Sequence, residues 1–258
     1  MVSSFLQGGL GNQMFQIAAA YALALRNNDK AVFDFDKCFT PLQGFKSTKY
    51  QNTLFKKVTN INNFTPSKIY YEPKFSYTEI EYHNNILLNG YFQSEKYFED
   101  FKNEIINLFD FNEDIINELT NFINEINSNN LPTSVIHVRR GDYLLNSEFH
   151  PPCSNEYYYE GIDILGKCCY IFISDDINWV KNEFIGENFF YYSGSNEIVD
   201  LTLMTLVDNI IISNSSFSWW GAYLNKNPNK KIITPKKWFG IKGPKETENL
   251  IPTTWFKI

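Results

Sequence analysis

Arginine is nearly missing from this sequence. Of 23 basic residues only Arg26, Arg139 and Arg140 are arginine, and the last two are neighbours. Lysine solubilises a surface equally well. A chain that otherwise avoids arginine has therefore placed a pair where a planar fork is needed, to hold a phosphate or carboxylate through two hydrogen bonds. Histidine is as scarce: His83, His137 and His150 are scattered, which leaves a zinc site poorly supplied with ligands. The cysteines, Cys38, Cys153, Cys168 and Cys169, show no C-x-x-C spacing and read as buried, reduced thiols of a cytoplasmic protein. No apolar run approaches ~20 residues, so no membrane-spanning helix is expected. Met1 to Leu6 carry no basic segment followed by an apolar one, so no secretory leader is expected either. A net charge of −6 argues against nucleic acid or an anionic membrane as partner, and confines the anion site to a local feature.

What is present is a core. With 258 residues, 43% of them hydrophobic and 17% aromatic, the chain can build one large domain or two moderate ones. Phe5-Leu6 followed by Gly8-Gly9-Leu10-Gly11-Asn12-Gln13 reads as a strand turning into a helix, with Met14, Ile17, Ala18, Tyr21 and Leu25 at helical spacing. Ala31-Val32-Phe33 then reads as a second strand, completing a β-turn-α-β unit of the kind that binds nucleotides. Gly9, Gly11, Asn12 and Gln13 are candidate ligand contacts on that loop. Two lookalikes compete. A dinucleotide fingerprint would need a third glycine where Met14 stands. Asp34-x-Asp36 matches a metal-binding D-x-D, but its position also suits the end of a strand and a cap for the next segment.

Residues 41–89 are irregular up to Ile86-Leu87-Leu88, a buried strand. A turn at Gly90 and a helix capped by Ser94 come next, with Tyr97, Phe98, Phe101, Ile105 and Leu108 on its apolar face. Asp114 to Ile126 is a further amphipathic helix, with Ile115, Leu119, Phe122 and Ile126 in one stripe. The polar run Asn127 to Pro132 then reads as a linker, giving an amino-terminal domain over 1–130 and a carboxy-terminal one over 131–258.

The second half alternates. Strands are expected at Thr133–Arg139, Cys168–Ser174, Asn188–Tyr192, Asn209–Ser213 and Lys231–Thr234. Helices fall at Asn155–Leu165, Asp176–Phe184, Asn196–Leu206 and Ser216–Asn225, with Asp176 and Ser195 as N-caps. Such alternation predicts a parallel sheet covered on both faces, with ligands outside the carboxyl ends of its strands. Those ends carry Arg139-Arg140-Gly141-Asp142, Ser174-Asp175-Asp176 and Ser213-Asn214-Ser215-Ser216. Arginines, carboxylates and hydroxyls thus converge from three segments, and the serines open a helix whose N-terminus favours an anion. His137 lies on the same side of its strand as Arg139, where it reads either as a satisfied core residue or as a ligand contact.

A sugar nucleotide suits this constellation, since paired arginines can neutralise a leaving diphosphate in place of a metal. The segments Gly8 to Gln16, Gly90 to Glu95, His137 to Tyr143, Phe172 to Asp176, Ser213 to Ala222 and Ile251 to Ile258 resemble the signatures of the α-1,2-fucosyltransferases of glycosyltransferase family 11. The resemblance runs the length of the chain and is weakest at about residues 40–85. It implies an α/β, GT-B-like fold with two Rossmann-like halves facing a cleft. It also implies GDP-fucose as donor, a galactose-terminated glycan as acceptor, and inversion without metal or other cofactor. Arg139 and Arg140 match the arginines tied to the donor diphosphate, and Asp142 would steer an arginine or a fucose hydroxyl. His137, Asp175 and Asp176 would contact guanine or ribose, and Ser215 and Ser216 the β-phosphate. The general base is not identified; Glu95, Asp34 and Asp36 are candidates by position. The competing readings are a transferase of another GDP-sugar, an oxidoreductase using the glycine loop, and a non-catalytic GDP-sugar-binding module.

Overall fold

Two parallel sheets organise the chain, each in its own compact unit of a computed structural model that describes residues 1–40, 44–194 and 196–258. The first unit comprises Met1–Phe111 and Lys245–Pro252. Its elements are β1 (Val2–Ser4), α1 (Leu10–Arg26), β2 (Lys68–Tyr71), β3 (Ile86–Asn89) and α2 (Lys102–Leu108), and the strands run in the order β1-β3-β2. The expected strand at Ala31–Phe33 is reduced to isolated bridges, Val2 to Ala31 and Phe33 to Asn60. Between Ser94 and α2 the chain makes two short 3-10 turns rather than one continuous helix, although Ser94 does cap the first by accepting from the Lys96 N–H. The distant segment 245–252 joins this unit through Asn249, which accepts from the Tyr77 N–H at 3.2 Å.

The second unit comprises Asn112–Pro244 and Thr253–Ile258. In chain order it contains α3 (Glu113–Ile126), β4 (Thr133–Val138), α4 (Asn155–Leu165), β5 (Cys169–Ser174), α5 (Ile177–Glu183) and β6 (Phe189–Tyr191). There follow α6 (Glu197–Leu206), β7 (Asn209–Ile211), α7 (Ser216–Leu224), β8 (Lys231–Thr234) and the two-residue β9 (Phe256–Lys257). The division between units falls before α3, whereas the polar linker lies after it; α3 packs on α6, and its Phe122 ring sits 4.9 Å from that of Tyr192. The N-cap expected at Ser195 lies outside the described residues. The Asn196 side chain caps α6 by accepting from Ile198 and Val199.

All six strands of this unit are parallel, in the order β6-β5-β4-β7-β8-β9. β4 is buried at every position, as a central strand covered on both faces requires. Ile136, Val138, Tyr158, Phe172, Phe184 and Ile233 close one side of the sheet, with the Phe172 and Phe184 rings stacked at 5.1 Å. The chain winds outward from β4 through β5 to β6, then returns to β7 on the other side of β4. Direction therefore reverses at the β4–β7 pair, the position outside whose carboxyl ends open parallel sheets bind their ligands.

Candidate active site

Both strands at the reversal deliver the residues that the sequence singles out. Arg139 and Arg140 leave β4 in different directions. Arg139 forms ion pairs with Asp142 at 2.5 Å and Asp175 at 3.1 Å, and its guanidinium lies over the Tyr143 ring. Arg140 lies over Trp179, 3.4 Å from the ring centroid, with its Nε 3.3 Å from Asp176. Asp175 also accepts from the Arg140 backbone N–H at 2.9 Å. That approach is possible because residue 141 is glycine: a Cβ there would fall 2.5 Å from the Asp175 Oδ2. Asp176 doubles as the N-cap of α5, accepting from Trp179. The two aspartates expected at the nucleoside thus neutralise the arginine pair and fix its geometry.

His137 lies beneath Arg139, buried, with its Nδ1 2.8 Å from the Ser213 Oγ at the end of β7. Burial, with the Arg139 charge adding, pushes its pKa down to about 3, so the imidazole is neutral at any working pH. The His137–Ser213 contact ties the two strands of the reversal together at their carboxyl ends. Beyond it, Ser215 is the N-cap of α7, without a side-chain hydrogen bond in the cap. The first amides of α7 and the hydroxyls of Ser215 and Ser216 therefore stand at one helix N-terminus, a suitable place for a phosphate.

Asn214, between those serines and β7, does structural work that its motif does not advertise. Its Nδ2 donates to the Pro151 and Trp238 carbonyls at 2.9 and 2.8 Å, and its Oδ1 accepts from the Cys153 thiol. The Tyr143 hydroxyl donates to its backbone oxygen at 3.1 Å. One side chain thus joins the loops that follow β4, β7 and β8. Burial pushes the Cys153 thiol up to about 11, so it serves as a donor here and not as a nucleophile. Asn214→Ala should destabilise the protein by about 2–4 kcal/mol, because one buried and one half-buried carbonyl lose their donors. Chemical denaturation checks this.

Asp200, in the first turn of α6, is missed by sequence reasoning. Its Oδ1 is buried and has no hydrogen-bond partner among the described residues. Burial, set against an amide hydrogen bond from Gly194 and helped by Glu197, raises its pKa to about 7. An unpartnered buried carboxylate oxygen beside the loop leaving β6 is costly for the fold, and such costs gather at binding sites. The sequence signal is faint, since an aspartate three residues after Glu197 reads as helix surface.

At the carboxyl edge of the first unit, Gly9 is the N-cap of α1 and Gly11, Asn12 and Gln13 lie in its first turn. Gln13 is buried and fully engaged: its Nε2 donates to the Gly8 and Phe45 carbonyls, and its Oε1 accepts from Ser47. It braces the glycine loop. Asn12 accepts from the Gln93 Nε2 at 2.8 Å, which links the loop to the turn after β3. Glu95 follows that turn; burial raises its carboxyl, with Lys102 opposing and Glu99 adding. Asp34 is spent locally on Lys37 and on the Asn63 N–H. Burial raises the Asp34 carboxyl, but those partners outweigh burial and hold it below the usual range. Asp36 is exposed. Among the described residues no helix is long and apolar enough to cross a membrane.

The profile of glycosyl transferase family 11 matches residues 1–255. The chain belongs to that family. It is 32% identical to the O-antigen biosynthesis glycosyltransferase WbnK of Escherichia coli, over 92% of this chain and 94% of the relative. It is also 32% identical to an α-1,2-colitosyltransferase of Escherichia coli, over 100% of this chain and 99% of the relative. Among solved structures it shares the GT-B-like fold of the fucosyltransferase NodZ of Bradyrhizobium, with a TM-score of 0.53 at 13% identity over 85% of this chain and 91% of that one. The α/β, GT-B-like architecture expected from the family signatures is therefore present, and membership of a glycosyltransferase family fits the arginine pair at a sheet reversal.

Proposed function

We propose that this protein transfers L-fucose from GDP-fucose to the 2-hydroxyl of a terminal galactoside, with inversion and without a metal. The observation that carries the reading is the pairing of Arg139 and Arg140, at the end of β4, with the serine-capped N-terminus of α7 on the adjacent strand connection. A diphosphate needs both positive charge and amide donors, and both are most useful as the glycosidic bond breaks and charge gathers on the leaving oxygen. In the step itself the acceptor oxygen attacks the anomeric carbon opposite the diphosphate. GDP leaves with the bonding electron pair, and a base takes the hydroxyl proton. Glu95, whose carboxyl is raised by burial, is the best-suited candidate base.

The relative named as an α-1,2-colitosyltransferase favours the α-1,2 linkage, and it also supports colitose as the alternative sugar. The test is incubation of the protein with isotope-labelled GDP-fucose or GDP-colitose and a panel of galactose-terminated glycans, in excess chelator. The expected product is an α-1,2-fucosylated galactoside formed at undiminished rate. Preference for the colitosyl donor would move the assignment to that sugar. Loss of activity in chelator with rescue by manganese would return Asp34 and Asp36 to consideration. Tight GDP binding with no transfer to any acceptor would mark a binding module.

A further inference from the structure

Glu72 is a half-buried carboxylate with no part in the donor site. It follows β2, the edge strand of the first sheet, and its backbone N–H extends the ladder by bonding to the Asn89 carbonyl. Its side chain reaches across to the turn after β3. Oε2 accepts from the Tyr91 N–H at 2.7 Å and Oε1 from the Phe92 N–H at 3.0 Å. Two successive amides aimed at one carboxylate form a small anion cradle, and here the chain supplies its own anion.

The cradle exists only because Phe92 is left-handed, with φ +52°. A left-handed conformation costs a residue with a Cβ about 1–2 kcal/mol, and such strain persists only where its surroundings impose it. Phe92 is fully buried against Tyr97, with their rings edge to face at 5.3 Å. Gly90 is the second condition: a Cβ there would fall 2.4 Å from the Glu72 Cβ and 2.6 Å from its Oε2. The outcome of this local strain is the placement of Gln93. Its Nε2 meets the Asn12 Oδ1 at the head of α1, while its Oε1 accepts from no described residue. The carboxyl ends of all three strands of this sheet thus meet in one linked assembly: Glu72 after β2, the 90–93 turn after β3, and Asn12 on the helix after β1.

We infer that Glu72 is a positioning residue for glycosyl transfer: it holds the 90–93 turn in its strained form, and so presents the Gln93 amide to the hydroxyls of the acceptor sugar. This rests on the proposed reading of the protein as a glycosyltransferase. An amide oxygen that accepts from no described residue, on a side chain 7% exposed beside a braced loop, is the kind of group that orients a sugar hydroxyl, whereas a carboxylate occupied by two backbone amides is not available to act as base.

The test is a double-mutant cycle on the full chain with Glu72→Gln, Gln93→Ala and the double variant. GDP binding is measured by calorimetry and transfer by steady-state kinetics, with folding checked by circular dichroism. Glu72→Gln replaces one accepting oxygen by an NH2 group that faces an N–H. It should lower kcat/KM for the acceptor ~10-fold or more, mainly through KM, since small misplacements of a positioning group carry losses of this size. GDP affinity should stay within about 2-fold of wild type in all three proteins. The double variant should lose no more than the worse single, because Glu72 acts through Gln93. Additive losses, or an unchanged acceptor KM with only a lower melting temperature, would overturn the proposal while leaving the transferase reading intact. A wild-type protein that transfers no sugar would overturn both. If Glu72→Gln does not fold, Glu72→Asp carries the same test, since it keeps the charge but withdraws both oxygens by one methylene.

Discussion

Arg139→Ala should reduce kcat/KM for transfer by about 10²–10³, the usual cost of removing a donor to charge that develops in a transition state. Arg139→Lys should still lose at least ~10-fold, because lysine keeps the charge but not the fork. The two arginines should also differ from each other. Arg139 is held between Asp142 and Asp175 and can exchange either carboxylate for a phosphate oxygen. Arg140 is pinned on the Trp179 face, so much of its contribution is packing and support of α5. Arg140→Lys should therefore cost stability as well as activity, whereas Arg139→Lys should leave stability within about 0.5 kcal/mol of wild type. Steady-state kinetics with urea denaturation of each variant separates the two roles. Wild-type kcat/KM in Arg139→Lys would remove Arg139 from the diphosphate.

The second large effect is a pH dependence centred on Asp200. Its folded pKa, about 7, lies above the unfolded value of 3.8. The folded protein therefore binds a proton that the unfolded chain releases. The stabilisation is fully present below pH 3.8 and is lost progressively as pH rises through about 7. A gap of that width corresponds to at most about 4 kcal/mol, reduced by whatever solvent reaches the other oxygen. Asp200→Asn should flatten this part of the stability–pH curve and be the more stable protein at pH 8. Urea denaturation of both proteins across this pH range measures the difference. A stability–pH curve unchanged in Asp200→Asn would overturn the assignment of this titration to Asp200.

Much of the second unit is legible in its sequence because it obeys local rules. β4 is a continuous apolar run ending in scarce arginines, and the α4 boundaries are set by Ser154 and Gly166. The first unit obeys them less. Ala31-Val32-Phe33 has a strand composition, but its partners are single residues at Val2 and Asn60, so only bridges form. Glu72 lies in a stretch with no clear period, and its role depends on a left-handed Phe92 that no propensity foretells. The Asn127–Pro132 run has the composition of a linker, yet the tertiary contacts of α3 with α6 place the division between units earlier. Asp200 is hidden for a related reason: its burial comes from the loop after β6, not from its own helix pattern.

A bare pair of arginines would hold any polyphosphate it met. Here three carboxylates, Asp142, Asp175 and Asp176, already face two guanidiniums, so the pair carries no surplus of positive charge. A diphosphate gains each arginine contact only by giving back a carboxylate contact, and the exchange alone yields little. The balance tips only for a ligand that also fills the base and sugar positions. Selectivity among the many phosphorylated metabolites then comes from the charges that oppose binding as much as from those that favour it. On the proposed function, the same near-neutral exchange would let spent GDP depart once the sugar that anchored it has been transferred.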